Sequence, residues 1–208
     1  MRIQHTDKEQ IEMLKTFWNE YGKSLLIAVI VGLGLGYGWH YWQSYRVNEL
    51  SNASMIYQNL LQVTMQNPND TQEIAAIAND LMTNYKTTPY AAMGAFFWGK
   101  SLIEQNQLSE ALEKFNWVIA HNHNNMIQQI ARLRAARILI AQNNFSQAMN
   151  LLKKTYDKNF QGYIDSVIGD AYAAQNNFSQ AKQYYQKAAK EMAADNIPDQ
   201  ILAMKLAQ

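Results

Sequence analysis

The longest apolar stretch of the chain lies near its N-terminus, at residues 25–42. Its sequence, LLIAVIVGLGLGYGWHYW, contains no Asp, Glu, Lys or Arg. As an α-helix these residues would measure about 27 Å, close to the ~30 Å hydrocarbon core of a bilayer. Aromatic residues, which favour the membrane–water interface, are concentrated at its C-terminal end. The pattern predicts a single transmembrane helix over residues 24–45, preceded by an N-terminal segment of residues 1–23.

Three other structures are compatible with a short apolar stretch, and the sequence argues against each. A cleaved signal peptide has a short leader and a small-residue cleavage site, whereas this leader is long, acidic in part and followed by bulky aromatics. A buried helix of a soluble protein needs an amphipathic period and other apolar segments to enclose it. This stretch has no such period, and no other segment of the chain is apolar enough to enclose it. An interfacial helix needs a charged face, which this stretch lacks.

Basic residues are distributed unevenly about the predicted span. Only Arg46 follows it closely, whereas four basic residues precede it: Arg2, Lys8, Lys15 and Lys23. Because basic residues are enriched on the cytoplasmic side of membrane helices, the sequence predicts a cytoplasmic N-terminus and residues 46–208 outside the cytoplasm.

Glycines alternate through the predicted span, at Gly32, Gly34, Gly36 and Gly38. They form two overlapping G-x-x-x-G pairs, and such small residues let a second membrane helix approach closely. The pattern therefore predicts a helix-packing face. Since glycine is also common in membrane helices generally, the alternative of no specific role stays open.

A repeated heptapeptide organises the rest of the chain. QNNFSQA at residues 142–148 recurs unchanged at residues 175–181, and QNQLSEA occupies residues 105–111. A spacing near 34 residues is typical of tetratricopeptide (TPR) repeats, each of which is a pair of helices. A generic helical bundle is the alternative, but it would not require the same phase three times. The sequence predicts TPR-like repeats over residues 89–195.

Small residues keep a fixed position in each repeat and predict a close approach between its two helices. In the first helix they are Gly99, Ala136 and Gly169, and in the second they are Ala111, Ala148 and Ala181, followed one turn later by Phe115, Leu152 and Tyr185. Asn in the QN turn tolerates a left-handed conformation. We expect the serines that follow, Ser109, Ser146 and Ser179, to cap the second helices.

Further helices flank the repeats. Residues 46–88 are predicted to form a helix pair, either a stalk or a degenerate repeat, whose second helix is capped by Asp70. Thr88 and Pro89 are expected to open the first clear repeat. Residues 196–208 are predicted to form a closing helix that covers the end of the array. The predicted fold class is all-α, with one N-terminal transmembrane helix followed by a TPR solenoid.

The composition of the chain argues against several kinds of binding and catalytic site. The 208 residues have a net charge of +1, and the thirteen basic and thirteen acidic residues after Arg46 balance, which argues against nucleic-acid binding. The absence of cysteine excludes disulfides, thiolate metal sites and a cysteine nucleophile. His121 and His123 lack a third ligand nearby in the sequence. We therefore expect no catalytic residues, no metal, no cofactor and no small-molecule substrate.

Repeat arrays bind partners through a concave face, so the first helix of each repeat carries the candidate site. The repeat phase assigns three residues per repeat to this groove, mostly apolar with one charge in each: Met93, Phe96 and Lys100; Ile130, Leu133 and Arg137; Tyr163, Ser166 and Asp170. The pattern favours an apolar peptide or partner helix anchored by a few charges. The alternative, that some of these residues pack against the flanking helices, stays open.

Four segments together resemble a known family. They are EQIEMLKTFWNEYGKSL, GWHYW, IGDAYAAQNNFSQA and the terminal PDQILAMKLAQ, and their order and spacing are similar to those of the YfgM family of ancillary SecYEG translocon subunits. The resemblance implies a bacterial inner-membrane protein with one N-in transmembrane helix and a periplasmic TPR domain. It also implies contacts with SecYEG and with PpiD, a membrane-anchored periplasmic chaperone, in support of exported proteins. A structural envelope scaffold that coordinates cell-wall or division machinery is the alternative function.

Overall fold

A computed structural model describes residues 7–154, 158–194 and 200–206. This described part is helical, with no β-strand, which confirms the predicted all-α class. Its helices are α1 (Asp7–Gln66), α2 (Thr71–Asn84), α3 (Pro89–Glu104), α4 (Leu108–His121), α5 (Asn125–Ala141), α6 (Phe145–Leu152), α7 (Gln161–Ala174), α8 (Phe178–Ala194) and α9 (Gln200–Leu206), with a 3-10 turn at Lys158–Phe160. Arg2 and the first and last residues of the predicted closing helix lie outside the described residues. The contacts divide the chain into two units, Met1–Glu49 and Leu50–Gln208.

The first unit contains the apolar part of helix α1, which is exposed. Helix α1 is long and apolar enough to cross a membrane, with a mean hydropathy of 1.4 in an 18-residue window of which 6% is buried. Leu33 and Leu35 are each 70% exposed. Apolar surface of this extent is typical of a helix that contacts lipid or another protein. The helix therefore has the properties of the predicted transmembrane segment.

The second unit is built from helix pairs that pack in sequence. Helix α3 packs on α4, α5 on α6, and α7 on α8, while contacts of α4 with α5 and of α5 with α7 join successive pairs. Buried residues of α2 to α5 form one hydrophobic cluster around Phe115, and buried residues of α5 to α7 form another around Leu152. This arrangement confirms the predicted TPR-like repeats.

The QN turn has the same backbone geometry in all three repeats. Asn106, Asn143 and Asn176 are left-handed, with φ between 60° and 62°. After α3, the Gln107 N–H donates to the Leu102 carbonyl at 2.8 Å and the Asn106 N–H donates to the Ile103 carbonyl at 2.9 Å. The other two turns repeat this pair of bonds. Each turn is a Schellman motif, which satisfies carbonyls that a helix end would leave unpaired. The prediction of left-handed asparagines is confirmed.

The predicted serine caps are wrong. The second helices begin one residue before each serine, at Leu108, Phe145 and Phe178. The Schellman turn leaves a single residue between the left-handed asparagine and the next helix, so that residue takes the cap position. Asn177 shows this directly, because its Oδ1 accepts the Gln180 N–H at 3.2 Å.

Where no such turn precedes the helix, the predicted caps are confirmed. Asp70 Oδ1 accepts the Glu73 N–H at 3.1 Å, and Thr88 is the cap residue before Pro89.

The two helices of a repeat meet at a pairing of small and large residues. A Cβ placed on Gly99 would lie 2.6 Å from Cε1 of Phe115, closer than real Cβ atoms approach. Gly169 faces Tyr185 in the same way. In the middle repeat, alanine replaces glycine and leucine replaces the aromatic residue, and both are buried in one cluster. The size of each second-helix residue thus matches the space left by the first helix.

Both ends of the array are covered. At one end, Leu60 of α1 and Ile74 and Leu81 of α2 form a buried cluster that includes aromatic residues of α3. At the other end, α9 packs on α8, and Leu202 is 3% exposed beside Tyr185. Helix α9 therefore covers this end of α8, and the bounds of the predicted closing helix stay a prediction. The choice between stalk and degenerate repeat for residues 46–88 stays a prediction.

Gly99→Ala is expected to destabilise the protein by about 1–3 kcal/mol, because the new methyl group overpacks against Phe115. Thermal unfolding of the detergent-solubilised chain, followed by circular dichroism, measures the loss. Combining Gly99→Ala with Phe115→Leu recreates the pairing of the middle repeat. The double variant is expected to lose less stability than the sum of the two single losses. Strictly additive losses would contradict the close contact.

Candidate binding face

The predicted groove residues lie on first helices that neighbour one another. Met93 and Phe96 of α3 belong to the same cluster as Ile130 of α5. Helix α5 packs against α7, and Asp170 of α7 is joined to Lys205 of α9 by an ion pair of 2.6 Å. We call the surface formed by the nine predicted residues the first-helix face.

These nine residues differ in accessibility. Phe96, Leu133 and Ser166 are buried, with 7%, 6% and 4% of their surface exposed. Lys100 and Arg137 are exposed. The remaining four are half-buried: Met93, Ile130, Tyr163 and Asp170. The accessible part of the face is thus a row of half-buried side chains with charged ends, and the three buried residues support it from the core.

Arg134 also belongs to this face, although the repeat pattern did not single it out. Its guanidinium carbon lies 4.6 Å from the centroid of the Phe96 ring and 6.0 Å from that of Phe115, a cation–π arrangement. Burial, and then the nearby charge of Arg137, lower the pKa of Arg134. A signal was available in the sequence, since Arg134 lies three residues before Arg137 and therefore on the same side of a helix.

The charges of the face are compensated to different degrees. Asp170 accepts hydrogen bonds from Lys205 Nζ at 2.6 Å and from the Tyr185 hydroxyl at 2.9 Å. Burial, together with the charge of Asp170, raises the pKa of Tyr185, so the phenol stays a donor. Lys100 pairs with Glu104 at 3.5 Å, but both side chains are more than half exposed, and such pairs contribute little. Asp170 is therefore the internally neutralised member of the row.

His121 and His123 are both exposed. His121 stacks on Trp117 with ring centroids 4.7 Å apart, and its Nδ1 lies 2.9 Å from the Trp117 carbonyl oxygen. Within residues 7–154, 158–194 and 200–206, no group of three or more His, Asp or Glu residues is placed to hold a metal ion.

A family model of the tetratricopeptide repeat-like domain matches residues 15–208. The chain belongs to this family. Proteins named ancillary SecYEG translocon subunit are similar to it along nearly the whole length. The protein from Haemophilus influenzae is 27% identical over 200 residues, which is 96% of each chain. The one from Escherichia coli is 24% identical over 190 residues, covering 91% of this chain and 90% of that protein.

A further relative and a solved structure are also similar to the chain. The protein of the same name from Neisseria gonorrhoeae is 25% identical and covers 96% of this chain and 95% of its own length. These relatives confirm the family resemblance noted in the sequence. A crystal structure of MamA covers 67% of this chain, and 88% of its own, with a TM-score of 0.44 and 15% identity.

Lys205→Met is expected to destabilise the closing end of the array by about 1–2 kcal/mol, because it leaves the half-buried carboxylate of Asp170 without its charged partner. Hydrogen exchange of α8 and α9 measures the effect, and faster exchange is expected there than in α3 and α4. Lys190→Met, at an exposed lysine of α8, is the matched control. Equal exchange in the two variants would show that the ion pair does not hold α9.

Proposed function

We propose that the chain is an inner-membrane TPR adaptor that associates with the SecYEG translocon. The observation that carries the proposal is the similarity to ancillary SecYEG translocon subunits over 96% of both chains in the first of these relatives. Such coverage includes the apolar part of α1 as well as the repeats. The membrane helix and the array are thus shared as a unit with proteins named for their place at the translocon.

In this proposal α1 crosses the membrane with the N-terminus in the cytoplasm and the repeats in the periplasm. The four basic residues before the apolar stretch, against Arg46 alone close behind it, support this orientation. The exposure of Leu33 and Leu35 supports a lipid environment for the helix. A Cβ added to Gly32, Gly34, Gly36 or Gly38 would meet no neighbouring atom within 4 Å, so these glycines are available to pack against another membrane helix.

The proposed role of the repeats is binding without catalysis. The first-helix face combines half-buried apolar side chains with charged ends, which suits polypeptide segments. A periplasmic chaperone similar to PpiD is the proposed second partner, and the adaptor would keep it and newly exported chains beside the translocon. Fixing both to one membrane site raises their effective concentration without any new contact.

Photo-crosslinking in native membranes tests the proposed partners. A photoreactive amino acid at Gly36 is expected to form adducts with SecYEG subunits, and one at Arg137 with the chaperone or with exported polypeptides. Lys182, an exposed residue of α8, is the control position and should give few adducts. Adducts composed of peptidoglycan enzymes would favour the envelope scaffold and reject the translocon role.

Lys100→Glu combined with Arg137→Glu is expected to abolish binding of the periplasmic partners, because it reverses both exposed charges of the predicted face. Co-purification in mild detergent measures binding, and circular dichroism should show an unchanged helical signal. Lys182→Glu with Lys190→Glu makes the same change in net charge on α8 and should leave binding intact. Unchanged binding in the first variant would place the site elsewhere.

A further inference from the structure

We propose that the α3–α5 part of the first-helix face selects apolar polypeptide segments that carry an aspartate or glutamate. The proposal rests on the proposed function, in which this face binds polypeptides, and it specifies the chemistry of the bound segment. The recognising groups are Arg134 and Arg137, which we call the arginine pair.

The geometry of the arginine pair suits a carboxylate. The two residues lie three positions apart on α5 and hence on one side of the helix. The contact of Arg134 with the Phe96 ring, at 4.6 Å, holds its guanidinium against an aromatic surface. A guanidinium held over a ring can present the N–H groups at its edge to a ligand, and these groups match the two oxygens of a carboxylate.

The charges around the arginine pair determine whether the bound group is acidic or basic. Within the described residues, no carboxylate oxygen lies within 4.0 Å of a nitrogen of Arg134 or Arg137. The acidic residue of the same row, Asp170, is neutralised by Lys205. The other exposed cation among the nine predicted residues, Lys100, already has Glu104 beside it. The pair is therefore the uncompensated charge of the described face, and an acidic group would relieve the repulsion between its members.

The surroundings of the pair determine the rest of the ligand. Ile130 lies one turn before Arg134 on α5, and Met93 lies one turn before Phe96 on α3. Both are half-buried and pack against the same cluster. A bound segment can therefore place apolar side chains on Met93 and Ile130 while a carboxylate reaches the arginines. A segment of a passing polypeptide supplies both groups within a few residues.

Binding of short labelled peptides to the full-length chain in detergent tests the preference. Two leucine-rich peptides, acetylated and amidated at their ends, differ only in a central Glu or Gln, and fluorescence anisotropy measures their affinities. The Glu peptide is expected to bind about tenfold more tightly, as a hydrogen-bonded ion pair allows. Raising the salt concentration should reduce this advantage.

Arg134→Gln with Arg137→Gln should remove the preference while the Gln peptide still binds. Lys182→Gln with Lys190→Gln removes two exposed charges of α8 and should preserve the preference. Arg134→Glu with Arg137→Glu should reverse it, so that a peptide with a central Lys binds more tightly than the Glu peptide. This reversal distinguishes charge recognition from simple damage to the fold.

Equal binding of the Glu and Gln peptides to the native chain would overturn the charge preference. So would binding that depends on a free C-terminus and not on the central Glu, which versions of both peptides without the C-terminal amide would detect. If either result came with intact crosslinks to SecYEG subunits, the inference would fail and the proposed function would stand. Loss of those crosslinks is instead a failure of the proposed function, whatever the peptides do.

Discussion

The close approach of the two helices within each repeat is the constraint on which the array depends. Gly99 and Gly169 leave no room for a Cβ beside Phe115 and Tyr185, and each large side chain fills the space that the missing methyl group leaves. Packing at this density fixes the spacing of the two helices. Because the second helix of one repeat then presents a defined surface to the next repeat, the first helices come to lie as neighbours and form a face.

The repeat architecture could be predicted from the sequence because its determinants are local. A left-handed asparagine followed by a new helix is encoded within a few residues, and the chain repeats that encoding three times. The caps were mispredicted for an equally local reason. Serine is a good cap in isolation. In the Schellman turn, however, the Asn144 N–H donates to the Leu139 carbonyl at 2.7 Å, and the next helix begins directly after Asn144, at Phe145. Ser146 therefore lies inside that helix and cannot be its cap.

The candidate site was predicted less completely, since its properties depend on contacts between distant residues. Periodicity placed Leu133 and Ser166 on the predicted face but could not show that the neighbouring helices bury them. It could not pair Asp170 with Lys205, which lies 35 residues further along the chain. For the same reason it treated Asp170 and Arg137 as equivalent charges, whereas the structure neutralises one and leaves the other exposed.

The nearly neutral composition of the chain determines the distance over which its charged side chains act. After Arg46 the chain carries thirteen basic and thirteen acidic residues, and its turns are built from uncharged Asn and Gln. A neutral domain of this kind exerts little long-range attraction, and salt screens exposed charges beyond about 8 Å at physiological ionic strength. Any discrimination between polypeptides must then come from groups in contact with them. In the proposed function, Arg134, which lies against the Phe96 ring, and the exposed Arg137 are such groups. In the proposed function the chain meets many different exported polypeptides, and selection by contact would permit brief binding to each of them.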